Sequence, residues 1–301
     1  MATSTNETTT YLVTTTTPQT LRLSSGQRLS YAEYGAGDGM PVVYCHGFPS
    51  SRLEAALLDD AAQARGLRVI APDRPGIGCS DYVRGRRLRD WPQTVGELTA
   101  HLGLKRYHLL AVSGGGPYAC ACAHTPPAGL DRVGIVCGLA PFDLPGVVSA
   151  FNPAMQFYIR CTRLSPAAGA LLFRVSMGTF VRLFPRLLMR LYTWRAEQAD
   201  RDSIATKTDR EIFAGATHEA FRQGTRGPAR DLVVYAGDWG FDLAEIETEV
   251  QLWHGEADVT VPAVCSREAY KRMPASTLKL YPNEGHFSLP LRHMPEILAA
   301  F

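Results

Sequence analysis

The chain reads as an α/β protein, with a mostly parallel central sheet, helices on both faces and an inserted helical lid. Three observations predict this. Short apolar runs alternate with helix-length segments between Pro41 and Cys137, the signature of a parallel sheet covered on both sides. One of those runs meets Ser113 and three glycines before a helix-forming stretch, which reads as strand, sharp turn, helix. After Cys137 the rhythm breaks into a long arginine-rich segment, and strand signal resumes only at Val250. With 301 residues and 46% hydrophobic content, the chain can bury a sizeable core.

In order, residues 20–23 and 28–34 read as strands joined at Ser24-Ser25-Gly26, a hairpin that starts the sheet antiparallel. Residues 41–45 are a buried strand, 51–65 an alanine- and leucine-rich helix and 67–71 the next strand. A helix over 94–102 precedes strands at 107–112 and 133–137. Strands at 250–253 and 277–281 enclose a helix over 262–273, and a C-terminal helix begins at Met294. Between Asp143 and Glu197 no acidic residue occurs, whereas arginine recurs; Arg182, Arg186 and Arg190 fall on one helix face, with Leu183, Leu187, Leu188 and Leu191 on the other. The expected organisation is a disordered leader over 1–19, a core over 20–143 and 229–301, and a helical lid over 144–228. The lid arginines are expected to be solvated, with the apolar face roofing a pocket.

Bulk properties exclude several function classes. A net charge of +2 favours neither a nucleic-acid nor an acidic partner. The threonine-rich start lacks the basic residues and the apolar stretch of about 7 to 15 residues of a secretory signal. No apolar run approaches the roughly 20 residues of a membrane span. Seven cysteines form an odd count without framework spacing, and Cys120 and Cys122 would point to different faces of a helix, which argues against a metal site there. These features predict a cytoplasmic protein in a reducing compartment, with no membrane span. They set no oligomeric state.

The stretch YHLLAVSGGGPYACACA carries the chemistry. A turn this tight strains its central residue, and the neighbours two positions either side must be small; here they are Ala111 and Gly115. Ser113 would stand at the tip above the free N–H groups of a helix N-terminus. A phosphate loop would need G-x-x-x-x-G-K-[ST] or G-x-G-x-x-G, and neither occurs.

On these residues the chain resembles the α/β-hydrolase superfamily, whose nucleophile elbow is G-x-S-x-G, with Ala111 in place of the first glycine. HGEAD at 254–258 and GHF at 285–287 resemble its acid and histidine loops, and the order Ser113, Asp258, His286 is the one the fold uses. The resemblance implies an α/β-hydrolase fold and a serine esterase with Ser113 as nucleophile, His286 as base and Asp258 as orienting acid. Glu256 and Asp143 are the competing acids. It further implies an oxyanion hole from the backbone N–H groups of Gly114 and Phe48, since Pro49 has none. His46 then shapes the loop, and the DRPGIGCSD segment forms a fixed turn in which Asp73 bonds backbone N–H groups. Arg84, Arg86, Arg87 and Arg89 beyond it read as a solvated loop. Phe48, Tyr118, Trp239 and Phe287 are the expected substrate-binding residues. No cofactor and no metal are expected.

The implied activity is cleavage of a carboxylic ester, thioester or lactone of an apolar small molecule through an acyl-enzyme. The same triad could serve acyl transfer, carbon–carbon cleavage, perhydrolysis or cyclisation, or the fold could be a low-turnover binding protein. Relatives with epoxide hydrolase or haloalkane dehalogenase chemistry place an aspartate where this chain has Ser113.

Overall fold

The computed structural model describes residues 18–184, 187, 191, 198–204 and 206–301. Most of the expected leader therefore lies outside the described residues, as do Arg186, Leu188 and Arg190. Eight strands form one sheet: β1 (Gln19–Arg22), β2 (Arg28–Gly35), β3 (Met40–Cys45), β4 (Leu67–Pro72), β5 (Tyr107–Val112), β6 (Leu130–Val136), β7 (Val250–Gly255) and β8 (Ser276–Tyr281). Their spatial order is β1-β2-β4-β3-β5-β6-β7-β8. Strands β1 and β2 pair antiparallel, β2 joins β4 antiparallel, and every later pairing is parallel.

Alternation along the central strands divides the core into two layers. Val43, Leu109, Ala111 and Ile135 pack on one side with Trp91 of helix Trp91–His101 and Tyr118 of helix Gly116–His124. Val42, Tyr44, Leu110 and Val112 pack on the other with Leu58, Ala62 and Ile297. Both faces of β5 are buried, which is why it reads as a continuous apolar run. The chain order reverses direction across the sheet between β3 and β5, and a ligand crevice opens outside the strand C-termini at such a switch point.

Two helices differ from expectation. Residues 51–65 split into a 3-10 helix Arg52–Leu58 and an α-helix Asp59–Arg65, because Arg52 and Glu54 are drawn inward to bond Asp73, Tyr44 and Gly47. The C-terminal helix is Ser288–Leu298, starting before Met294. Pro290 sits in its first turn, where a missing N–H costs nothing, and Pro295 lies inside it.

Between β6 and β7 the chain builds the lid, including helices Pro153–Leu164, Pro166–Val175, Met177–Leu183, Gln198–Ser203 and Lys207–Ala220. Its inner surface is not the leucine row that the sequence pattern selects: Leu183, Leu187 and Leu191 are exposed. Helix Met177–Leu183 turns Gly178 and Val181 inward instead, and Phe173 packs with Val181, Ile77 and Phe221. No described helix is long and apolar enough to cross a membrane.

Candidate active site

Ser113 follows β5 directly and has φ +54°, a left-handed conformation that a residue with a side chain adopts only under constraint. The constraint is close packing beneath it. A Cβ on Gly115 would sit 2.1 Å from the Cys45 carbonyl oxygen, so nothing larger than glycine fits there. Ala111 is fully buried, and its methyl is accommodated. The turn continues through a 3-10 helix Ser113–Gly115 into helix Gly116–His124. The Gly114 N–H thus lies at a helix start, where no preceding turn supplies an acceptor. A Cβ on Gly114 would come within 3.2 Å of the Phe48 nitrogen, so the loop after β3 packs closely against the residue that follows Ser113.

Loops after β7 and β8 bring two more side chains to this corner. His286 Nε2 is 3.0 Å from Ser113 Oγ, and its Nδ1 is 2.7 Å from Asp258 Oδ2. Asp258 Oδ1 accepts the N–H groups of Thr260 and Val261, each at 2.8 Å, which fixes the carboxylate's plane. His254, buried, lies 3.4 Å from Asp258 Oδ2 and also contacts the Ser266 hydroxyl. Burial opposes ionisation of Asp258, but His286 and the hydrogen bonds from both histidines outweigh it and hold the carboxyl well below its ordinary range. Burial likewise opposes the charged His286 ring. The charge and hydrogen bond of Asp258, with Asp200 and Glu54 behind it, prevail, and the His286 pKa is raised. Of the competing acids, Glu256 is paired with Arg267 and Asp143 is solvent-exposed.

One residue at this corner has no signal in the sequence. Asp200, on the lid helix Gln198–Ser203, is almost fully buried and accepts three backbone N–H groups from the histidine loop: His286 at 3.1 Å, Phe287 at 3.0 Å and Ser288 at 2.8 Å. It caps helix Ser288–Leu298 from outside. The lid therefore holds the segment that carries His286. Glu54 was equally unmarked, although a single acid among Leu53, Ala55, Ala56, Leu57 and Leu58 is a cue for a buried carboxylate with a task.

Behind the loop after β3 lies a second ionic cluster. Arg74 donates to the carbonyl oxygens of His46 and Gly47 and pairs with Asp231 at 3.1 Å. Arg86 pairs with the other Asp231 oxygen at 2.5 Å and donates to the Tyr118 hydroxyl, which itself donates to Asp231 at 2.7 Å. Arg84, Arg87 and Arg89 are exposed, but Arg86 is buried, a correction to its reading as part of a solvated loop; Asp231, distant in sequence, supplies the counter-charge. His46 is enclosed here, and burial together with Arg74 holds its pKa well below the usual histidine value, so it acts as a neutral part of the loop. Asp73 accepts the Arg52 N–H at 2.7 Å and the Ser30 hydroxyl at 2.7 Å and pairs with Arg52 at 2.6 Å.

A cavity of about 280 Å³ opens over Ser113 and His286. Phe48 and Phe287 line it, with Met155, Phe173 and Met177 from the lid region. Tyr118 and Trp239 do not, contrary to expectation. Tyr118 is buried in the Arg86–Asp231 cluster, and Trp239 donates its ring N–H to the Tyr235 carbonyl and borders a different cavity with Phe241 and Asp143.

Cys137, Asp258 and His286 bring three potential metal ligands within 4.8 Å of one another. Their chemistry argues against a metal ion: Asp258 and His286 are bonded to each other, and burial pushes the Cys137 thiol well above its ordinary value, away from the thiolate a metal needs.

A sheet of this order with serine, histidine and aspartate joined at its C-terminal rim defines a serine-hydrolase-type site. The chain belongs to the alpha/beta hydrolase family, whose model matches residues 42–301. It is 26% identical over 289 residues to the non-heme chloroperoxidase of Streptomyces lividans, covering 93% of this chain and 96% of that protein. It is 28% identical over 290 residues to the non-heme haloperoxidase of Rhodococcus erythropolis, covering 87% and 90%. An esterase structure from Exiguobacterium antarcticum superposes with a TM-score of 0.67 at 16% identity, over 94% of this chain and 98% of that one.

Proposed function

We propose that the protein is a serine hydrolase that cleaves a carboxylic ester, thioester or lactone of a small apolar molecule. The observation that carries this reading is the continuous link from Asp258 through His286 to Ser113, at 2.7 Å and 3.0 Å, on the floor of an apolar cavity. In the proposed reaction Ser113 Oγ attacks the carbonyl carbon while His286 Nε2 takes its proton and Asp258 stabilises the resulting imidazolium. The Phe48 and Gly114 N–H groups receive the developing oxyanion, a role supported by the close approach of the Phe48 nitrogen to Gly114, the residue after Ser113. His286 returns the proton to the leaving group, an acyl-enzyme forms, and a water deprotonated by His286 then releases the acid. Residues 144–228 act as the lid that closes this cavity. The seven free cysteines fit a reducing, cytoplasmic setting.

The test is labelling by a fluorophosphonate and turnover of short p-nitrophenyl esters, both of which Ser113→Ala must abolish. Labelling that survived the substitution would remove Ser113 as nucleophile. The names of the Streptomyces and Rhodococcus relatives favour a second reading, in which hydrogen peroxide takes the acyl group in place of water. Peracid formation, measured with peroxide competing against water, separates the two.

A further inference from the structure

The cavity over Ser113 is walled by Leu57, Leu58, Val112, Phe173 and Val181, yet one carboxylate, Glu54, also lines it. Among the described residues no other acid does. Glu54 is 94% buried, its relative exposure being 6%. One of its oxygens is fully occupied: Oε1 accepts the Tyr44 hydroxyl at 2.6 Å and the Gly47 N–H at 2.8 Å. The other, Oε2, accepts no hydrogen bond from any described residue. It lies 3.2 Å from the position a Cβ on Gly47 would take, and the Ser113 Cβ lies 3.6 Å from the same point, so Glu54 and Ser113 approach the same side of Gly47 in one cavity. The neighbouring arginines are committed elsewhere, and His286, whose charge Glu54 favours, makes its hydrogen bonds to Asp258 and Ser113. Arg52 Nη1 is bound to Asp73 and Glu219, and Arg74 to Asp231 and two backbone carbonyls.

We propose that Glu54 is a substrate-recognition residue, and that the preferred acyl group is an apolar chain carrying one hydrogen-bond donor, above all an ammonium, a few bonds from the scissile carbonyl. This rests on Ser113 being the nucleophile. The physical reason lies in what a bound ligand displaces. An apolar acyl chain that fills the cavity expels the water that would solvate Oε2, leaving a buried carboxylate oxygen with no donor. A ligand that brings its own donor replaces that water and leaves nothing unpaired. Sites built this way discriminate chiefly by rejecting the analogue that lacks the polar group. The bond from Gly47 to Oε1 gives Glu54 a part in shaping the oxyanion loop as well, but that part leaves Oε2 unused.

The experiment compares three p-nitrophenyl esters of nearly equal shape: 3-methylbutanoate, 3-hydroxybutanoate and 3-aminobutanoate. The quantity read is kcat/KM for each, divided by its spontaneous hydrolysis rate, at a pH where the amine is protonated. The wild-type enzyme should favour the donor esters over the methyl ester by at least about tenfold, most strongly for the ammonium. In Glu54→Gln, which keeps an oxygen for Tyr44 and Gly47 and turns an amide N–H₂ toward the cavity, the ammonium preference should vanish or reverse. The ratio is taken within each variant, so a change in absolute rate does not affect it. Equal rates for all three esters in the wild-type enzyme would overturn the proposal even if the variant did not fold, and an ammonium preference unchanged in Glu54→Gln would overturn it too. If Ser113 is labelled and the methyl ester is turned over without any preference, this inference alone fails; if none of the esters is turned over and Ser113 is not labelled, the hydrolase reading fails.

Discussion

Two buried aspartates flank the Ser113 turn, and they differ in the partner each holds. Burial alone would raise both carboxyls. Arg74 and Arg86 outweigh it at Asp231 and bring its pKa down to about 2, while His286 and His254 do the same for Asp258. The arginines never give up their charge, so the Asp231 cluster is a fixed support for the loop at 46–49. The imidazole can give up its proton near neutrality, so the Asp258 pair can take part in a reaction. The same acid in a similar setting is scaffold or catalyst according to whether its partner titrates.

The sharpest break between the two regions is Ser113→Ala, which should lower ester turnover by at least about 10⁴-fold with the melting temperature little changed. Next, Asp258→Asn should lower kcat by roughly 10³ to 10⁴-fold, by losing the correct tautomer of His286, while the fold persists. Asp231→Asn should do the reverse. Leaving Arg74 and Arg86 buried without their counter-charge should cost about 3 to 5 kcal/mol in a denaturant titration, with Ser113 still labelled in the fraction that remains folded.

The pH dependences should separate as well. Because His286 works as a base only when neutral and its pKa is raised above 6.5, kcat/KM should climb with pH to a midpoint above the ordinary histidine value. The raised pKa also stabilises the fold: that contribution is complete below the unfolded value and is lost as pH rises through the folded one. For Asp231 the sign is opposite, with stability present above 3.8 and lost as pH falls toward about 2. The rate should therefore titrate with His286 alone, whereas stability should fall on the alkaline side with His286 and on the acid side with Asp231, which parallel titrations of rate and of unfolding midpoint would check.

The smallest effect is expected from Asp200→Asn. Removing its charge should lower the His286 pKa and move the rate midpoint downward, and the weakened cap should cost about 1 kcal/mol of stability. A midpoint that did not move would leave Asp200 a purely structural cap.

What the sequence disclosed and what it hid divide along similar lines. Strands β3, β5 and β7 are apolar runs bounded by turn residues, and Ser113, Asp258 and His286 each sit just past a strand end, where local pattern and chain order are enough to find them. Arg86 and Asp200 were not visible because each acquires its role from a partner far away in the chain: Asp231 for the one, the 286–288 backbone for the other. Acceptance of backbone N–H groups leaves no trace in side-chain patterning. The leucine row at 183, 187 and 191 misled for a related reason: helical spacing marks a face but not what that face meets. Pro290 and Pro295 concealed the true start of the last helix, since a breaker inside a helix looks like a boundary.

The acceptor that Asp200 offers to residues 286–288 also limits how this chain can be recombined. Grafting a relative's lid onto this sheet to alter selectivity would deliver the histidine segment without its anchor, unless the donor lid brought a carboxylate to the same spot. Transplants should thus be designed as lid and final helix together, exchanged as one cassette.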